Sequence, residues 1–318
     1  MATAAKSNYL KAVEAAEKRK VRLTLNQQQE IRDIYTEIAY DLSLKIKKTN
    51  PNAVTYTWLN SYKDSLLKDI EGLNKQLNAR IRANMRKAAE YGSSPQLSMF
   101  EDAALLYGFG KGKFDVVFAT IPDDVVTKIL SGKLYQDKRA LSARIWSATE
   151  QNSKDIEHII ARGIAAKKSA YDLAKDLETY VNPSAKKDWE WSKVYPHCGN
   201  KSIDYNAQRL ARTSIQHAYQ QAQKQSCKRN PYVEGIRWLA SGHARTCSLC
   251  RERSEQDAYG LGAGVYPVSD VPMDHANGRC STIPVVTQSL EDIGREIGDW
   301  LGGGSNPKLD KWWQQYGE

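Results

Sequence analysis

The sequence predicts a mainly α fold: long N-terminal and central helices, with a small C-terminal α+β module held by zinc. Three observations carry that expectation. Residues 4–48 are good helix formers and include neither glycine nor proline. The next stretch repeats its apolar residues at helical spacing. Beyond Pro231 the chain turns rich in glycine and proline and carries three of the five cysteines.

Taken in order, the first helix stops at Asn50-Pro51, because proline disfavours helix in the residue before it. A second runs from about Thr55 to Glu90, burying a face of Leu59, Leu66, Leu67, Ile70, Leu73, Leu77 and Ile81. Gly92-Ser93-Ser94-Pro95 is expected to break it, leaving a short helix and a loop over residues 101–114. Asp115 to Ile121 suits a short strand or the lead-in to a helix that starts at Ile121-Pro122-Asp123-Asp124. Residues 141–181 read as two helices joined at Gly163, the second capped by Ser169 and closed by Asn182-Pro183. A long helix follows, about Asp204 to Arg229. GIRWLA and STIPVV are two strands flanking a loop-rich insert, and LEDIGREIGDWL is an amphipathic helix. A glycine hinge, Gly302 to Gly304, then leads to the aromatic end KWWQQYG. The expected organisation is a helical region at 1–110 for partner contact and a central helical domain at 111–230. A Cys/His module at 231–290 and a helix with an aromatic tail at 291–318 complete it.

The chain has 318 residues and a formal charge of +9, which favours an acidic partner, nucleic acid first. Tyr (17) and Trp (8) outnumber Phe (4), a balance that suits half-buried surfaces and interfaces. No stretch approaches the roughly 18–20 apolar residues of a membrane span. The N-terminus turns charged at once and lacks the apolar core of a signal peptide. The cysteines are therefore expected to stay reduced.

Cys247 and Cys250 stand as Cys-x2-Cys, and His275 and Cys280 follow as His-x4-Cys. Together they make a Cys3His tetrahedral set, the grouping that Zn²⁺ prefers in structural sites. A Gly-rich segment with little core of its own gains most from such a staple. Other readings of the pair are a redox Cys-x-x-Cys, a nucleophilic cysteine with His and Asn or Asp partners, or buried thiols without metal. His243 and Asp274 are reserve ligands, and Cys198 and Cys227 read as ordinary thiols.

RLARTSIQHAYQQAQ, IRWLASGHARTCSLCRE and DVPMDHANGRCSTIPVV, in that order, resemble the phage Mu F-like minor head protein family, also called head morphogenesis proteins. The upstream run from Leu141 to Glu178 resembles the family's helical lead-in, so the likeness covers roughly residues 115–290. The chain departs from the family pattern in two places. His243 replaces the usual Asp before Ala244-Arg245-Thr246. His275-Ala276-Asn277-Gly278-Arg279-Cys280 lacks the family's proline and the first of its two terminal cysteines, which leaves Cys280 as the last ligand.

The resemblance implies a low-copy virion component, found in the host cytoplasm during capsid assembly. It would associate with the portal protein and prohead and take part in DNA packaging or exit. Self-association is a further expectation. Some relatives carry C-terminal toxin domains; the roughly 30 residues after this module are too few for one.

Lys75, Arg80, Arg82, Arg86 and Lys87 form an acid-free basic run suited to sequence-independent contact with double-stranded DNA. The bland alternative is a solvated helix face. Arg212, with Arg209 and Lys224, would either face phosphates or fix its helix onto the zinc module, the latter being preferred. Arg245 is expected to donate to carbonyls of the cysteine turn, and Trp238 to lie beneath the module. Trp312 and Trp313 suggest a detachable aromatic tag, or else packing on the protein's own body. The favoured function is a non-enzymatic minor head protein with no catalytic residues. The alternative is a metal-dependent nuclease of His-Asn-His type, disfavoured because such enzymes need a ββα frame where STIPVV runs as a strand.

Overall fold

A computed structural model describes residues 2–198, 201–242, 244 and 246–317. His243 and Arg245, the reserve ligand and the expected carbonyl donor, lie outside the described residues. The protein is mainly helical with a small antiparallel sheet near its C-terminus. None of its helices is long and apolar enough to cross a membrane, among the described residues.

Helix α1 spans Ala2–Lys47, with Lys45 and Lys47 in its last turn, where cations suit the negative helix end. Asn50 then caps a short 3-10 turn at Pro51–Ala53, its Oδ1 accepting from the Asn52 N–H at 3.0 Å. Helix α2 spans Tyr56–Leu106 and runs straight through the expected break at Gly92–Pro95. Proline at position 95 removes one N–H and leaves the Tyr91 carbonyl without its helical donor. The Ser94 hydroxyl supplies a replacement, donating to that carbonyl at 3.2 Å, and Ser93 donates to Ala89 O at 3.1 Å. Gly92 remains helical and lets another backbone approach: a Cβ there would run into the Tyr219 carbonyl. Gly92→Ala is accordingly expected to destabilise the protein by about 1–3 kcal/mol, the usual penalty for overpacking. Urea unfolding beside the parent chain measures it.

Helices α3 (Asp115–Phe118), α4 (Ile121–Leu130), α5 (Leu141–Ala165) and α6 (Ala170–Val181) follow. The segment before Ile121 is thus helical rather than a strand. Ser169 caps α6 as expected, accepting from the Asp172 N–H at 3.1 Å. The break between α5 and α6 falls after Ala165 and not at Gly163; that glycine stays helical and gives the Leu173 side chain room to pack. Helices α7 (Trp189–Val194) and α8 (Tyr205–Lys228) precede strand β1 (Gly235–Leu239). Helix α9 (Ser248–Glu255), strands β2 (Val265–Tyr266) and β3 (Ser281–Val285), and helices α10 (Leu290–Leu301) and α11 (Pro307–Tyr316) complete the chain.

The chain forms two compact units, each made of separate stretches of sequence. One comprises Met1–Thr24, Arg82–Ile129 and Thr213–Glu318; the other comprises Leu25–Ile81 and Leu130–Arg212. Helices α1, α2 and α8 each contribute residues to both.

In the second unit, the expected α2 face of Leu59, Leu66, Ile70, Leu73, Leu77 and Ile81 is buried, while Leu67, at its edge, is only half-buried; Ile31, Tyr35, Leu42 and Ile46 of α1 also lie in the core. Polar groups there are paired. The Tyr180 hydroxyl donates to Asp155 at 3.0 Å, and Asn152 donates to the Tyr35 hydroxyl at 3.2 Å. Cys198 lies in this core, and burial pushes its thiol up to about 12.

In the first unit, the sheet order is β2-β1-β3, with both pairings antiparallel. Along β1 the side chains alternate, so Ile236 and Trp238 go inward and Arg237 and Leu239 outward. Trp238 is fully buried with Ile236, Cys227, Cys250, Tyr266, Val271 and Cys280, the core expected beneath the module. Pro284 sits in β3, an edge strand, where a missing N–H is tolerated. The aromatic end is no free tag. Asn306 caps α11, and Trp312 is only 5% exposed, stacked on Phe100 at 4.7 Å while its indole N–H donates to Arg229 O at 2.5 Å. A large apolar ring with a satisfied donor is more stable buried than in water, which is why the tail docks.

Candidate metal centre

The Cys-x2-Cys pair lies on the first turn of α9, a helix too short and polar to announce itself by periodicity. Cys247 is its N-cap, with extended backbone, and Cys250 follows one turn later, pointing into the core of the module. His275 and Cys280 lie on the loop leading into β3. Two overlapping triads result. The ligand atoms of Cys247, Cys250 and His275 all lie within 4.8 Å of one another, and so do those of Cys250, Asp274 and Cys280. Cys250 belongs to both. All five cysteines carry free thiols.

The four expected ligands therefore gather in one cluster that can hold a metal ion, with Asp274 as a fifth donor. The cluster has an open side and a closed side. Cys247 is exposed and the His275 side chain is 42% exposed, their Sγ and Nε2 atoms 3.4 Å apart. Cys250, Asp274 and Cys280 are each 2–3% exposed. A hydrogen bond from the Cys250 backbone N–H holds the Cys247 thiol below its ordinary value. Burial pushes the Cys250 and Cys280 thiols up. An incoming cation must displace those two protons, so its apparent affinity rises with pH.

The loop is held from outside the cluster by a polar row on α8 that sequence reading missed. Gln216 donates to Asp274 Oδ2 at 3.1 Å and to Cys280 O at 2.5 Å; the His217 Nε2–H donates to Asp274 O at 2.9 Å. Gln220 accepts from the Asp274 N–H at 3.0 Å, and Gln223 donates to Thr282 O at 3.0 Å. Gln216, Gln220 and Gln223 recur at i, i+4 and i+7, the spacing of one helix face. That spacing is the signal that could have revealed them.

Asp274 itself gathers the ligand-bearing backbone. Its Oδ1 accepts from the His275 N–H at 2.9 Å and its Oδ2 from the Cys280 N–H at 3.2 Å. Asn277 takes a left-handed conformation (φ 65°) in the intervening turn. Gly278 is needed beside it, because a Cβ there would collide with the Asp274 carboxylate.

Other expected residues fall elsewhere. Lys75 and Arg80 are exposed in one unit, Arg82, Arg86 and Lys87 in the other. Arg86 is engaged by Glu90 at 3.3 Å and by both carboxylate oxygens of Asp123. Arg212 donates from Nε to the Gln28 amide oxygen at 2.8 Å, once that amide is turned to face it, so its visible partner is α1 rather than the module. Arg209 is exposed and has interactions of its own. Lys224 does reach the module, donating to Val271 O at 3.1 Å. Cys227 is buried in the core, taking a hydrogen bond from Gln96 at 3.4 Å.

No protein-family model, curated protein or solved structure matches this chain.

Proposed function

We propose that this chain is a non-enzymatic minor head protein of a tailed phage, whose C-terminal module is held by a structural zinc ion. The single observation that supports the reading most is a convergence. The three stretches that resemble Mu F-like proteins, on α8, at the Cys-x2-Cys turn and at Asp270–Val286, meet around Cys250 through the α8 glutamines. Thiolates with an imidazole suit zinc better than the hard, oxygen-seeking cations. The Asp274 carboxylate adds to the case. It is buried beside two thiols, and among the described residues its only ion-pair partner is His275 at 4.0 Å, so a cation there offsets the cost of its burial. With four protein ligands the ion has no vacant position, and its task is to hold His275 and Cys280 against α9.

In this reading the chain works with portal and prohead components in the virion, and in the host cytoplasm while heads are built. Arg82 and Lys87 are the exposed cations best suited to DNA phosphates, Arg86 being occupied within the protein. The nuclease alternative is weaker because β3 follows Cys280 directly, where a ββα site needs a helix.

Elemental analysis of purified protein is expected to find about one zinc per chain. Mass spectrometry of intact particles is expected to find the chain in low copy. DNA affinity is expected to fall steeply with salt as phosphate contacts release counterions. Plasmid cutting that needs Mg²⁺ or Mn²⁺ and disappears in His275→Ala would replace this reading with the nuclease.

A further inference from the structure

Cys250 is the thiol that two other cysteines share as a neighbour. Its Sγ is within 4.8 Å of both Cys247 Sγ and Cys280 Sγ. Only one of the three thiols meets solvent: Cys247 is exposed, while Cys250 and Cys280 are each 2% exposed. The Cys247 sulfur is held by the Cys250 backbone N–H on α9, and among the described residues its hydrogen-bonding neighbour outside α9 is the half-exposed His275. An oxidant in solution thus reaches a single sulfur, and that sulfur has a buried thiol one helical turn away.

We propose that Cys247 and Cys250 form a reversible oxidative modification site at which a hydroperoxide converts the pair to a disulfide and expels the bound ion. The expulsion rests on the zinc reading above; the disulfide does not. In the first step the Cys247 thiolate attacks the outer peroxide oxygen, the O–O bond breaks, and sulfenic acid and hydroxide form. In the second, the Cys250 thiolate attacks the Cys247 sulfur, the S–OH bond breaks, and a disulfide and a second hydroxide form. Two electrons pass from the two sulfurs to the peroxide. The ion loses two of its thiolates and leaves hydrated, its charge matched by the two hydroxides.

The Cys247 and Cys250 sulfurs already lie within 4.8 Å of one another, so a modest closure of the first turn brings them to bonding distance. Little else need move. Asp274 stays tied to Gln216, His217 and Gln220, and the packing of Ile236 and Trp238 beneath the site does not depend on Cys247. Oxidation thus frees the His275 side chain and the N-terminal turn of α9 while leaving the sheet in place.

The test uses zinc-loaded full-length chain treated with hydrogen peroxide, with a chromophoric chelator reporting released zinc. Intact mass and peptide mapping report the cross-link. The expected result is one zinc released per cross-link, a loss of two hydrogens in mass, a Cys247–Cys250 peptide pair, and recovery of both thiols with dithiothreitol. Cys247→Ser is expected to slow peroxide oxidation of Cys250, read by peptide mapping, at least about tenfold, because the solvent-facing sulfur is gone. Peroxide that leaves the pair reduced, or a cross-link mapped to Cys250 and Cys280, overturns the proposal. A chain that carries no metal yet forms the Cys247–Cys250 cross-link sinks the zinc reading and leaves the modification site standing.

Discussion

Cys250→Ser is expected to abolish zinc binding, lowering affinity by more than about a hundredfold, well beyond what loss of a supporting hydrogen bond to a ligand costs. Cys250 is the one residue shared by both triads, so no regrouping of the remaining donors restores three ligands around one point. Serine keeps the shape but not the chemistry, since its hydroxyl does not ionise at neutral pH and is a poor partner for zinc. It also places a hydroxyl among Ile236, Trp238 and Tyr266, where an unpaired polar group costs about 1–3 kcal/mol. Cys247→Ser, by contrast, removes an exposed donor and leaves the buried triad whole. A competition titration with a zinc chelator, run on both variants beside the parent, checks the order. Equal affinity in Cys250→Ser and parent would mean that the ion, if any, sits elsewhere.

The second large effect is expected at Asp274. Asp274→Ala removes the acceptor of the buried Cys280 N–H and the part-buried His275 N–H, and one of the two acceptors of the buried Gln216 amide. Breaking a buried charged network of this kind costs about 3–5 kcal/mol. The loss is expected to persist when a chelator removes all metal, because the carboxylate anchors the loop in the metal-free fold. Unfolding in urea with and without chelator separates the two roles. A penalty seen only with zinc present would mark Asp274 as a ligand rather than an anchor.

Much of the helical architecture was legible in the chain. The buried face of α2, the Ser169 cap, the long α8 and the two principal strands follow from apolar spacing, capping residues and the change of texture at Pro231. The misses have specific causes. Gly92 to Pro95 spells a break locally, but close packing against Tyr219 and the serine hydroxyls keep the helix continuous. Helix α9 buries only Cys250, leaves Leu249 exposed and shows no apolar period. Strand β2 is two residues long, and only its pairing with Ile236 and Arg237 defines it. The aromatic tail was ambiguous because a tryptophan pair suits an external partner and its own core equally well; Phe100 decided the matter.

At the candidate metal site the division is similar. Residue type and spacing alone selected Cys247, Cys250, His275 and Cys280, because thiolates three apart and a downstream imidazole have few other common uses. Which donors meet, and on which side of Cys250, is a property of the tertiary structure. It depends on a loop with no periodicity of its own, placed by long-range hydrogen bonds from α8 to Asp274. Local sequence encodes what a side chain can bind. Only packing between distant segments decides which donors stand close enough to bind the same thing, and which of their sulfurs water can reach.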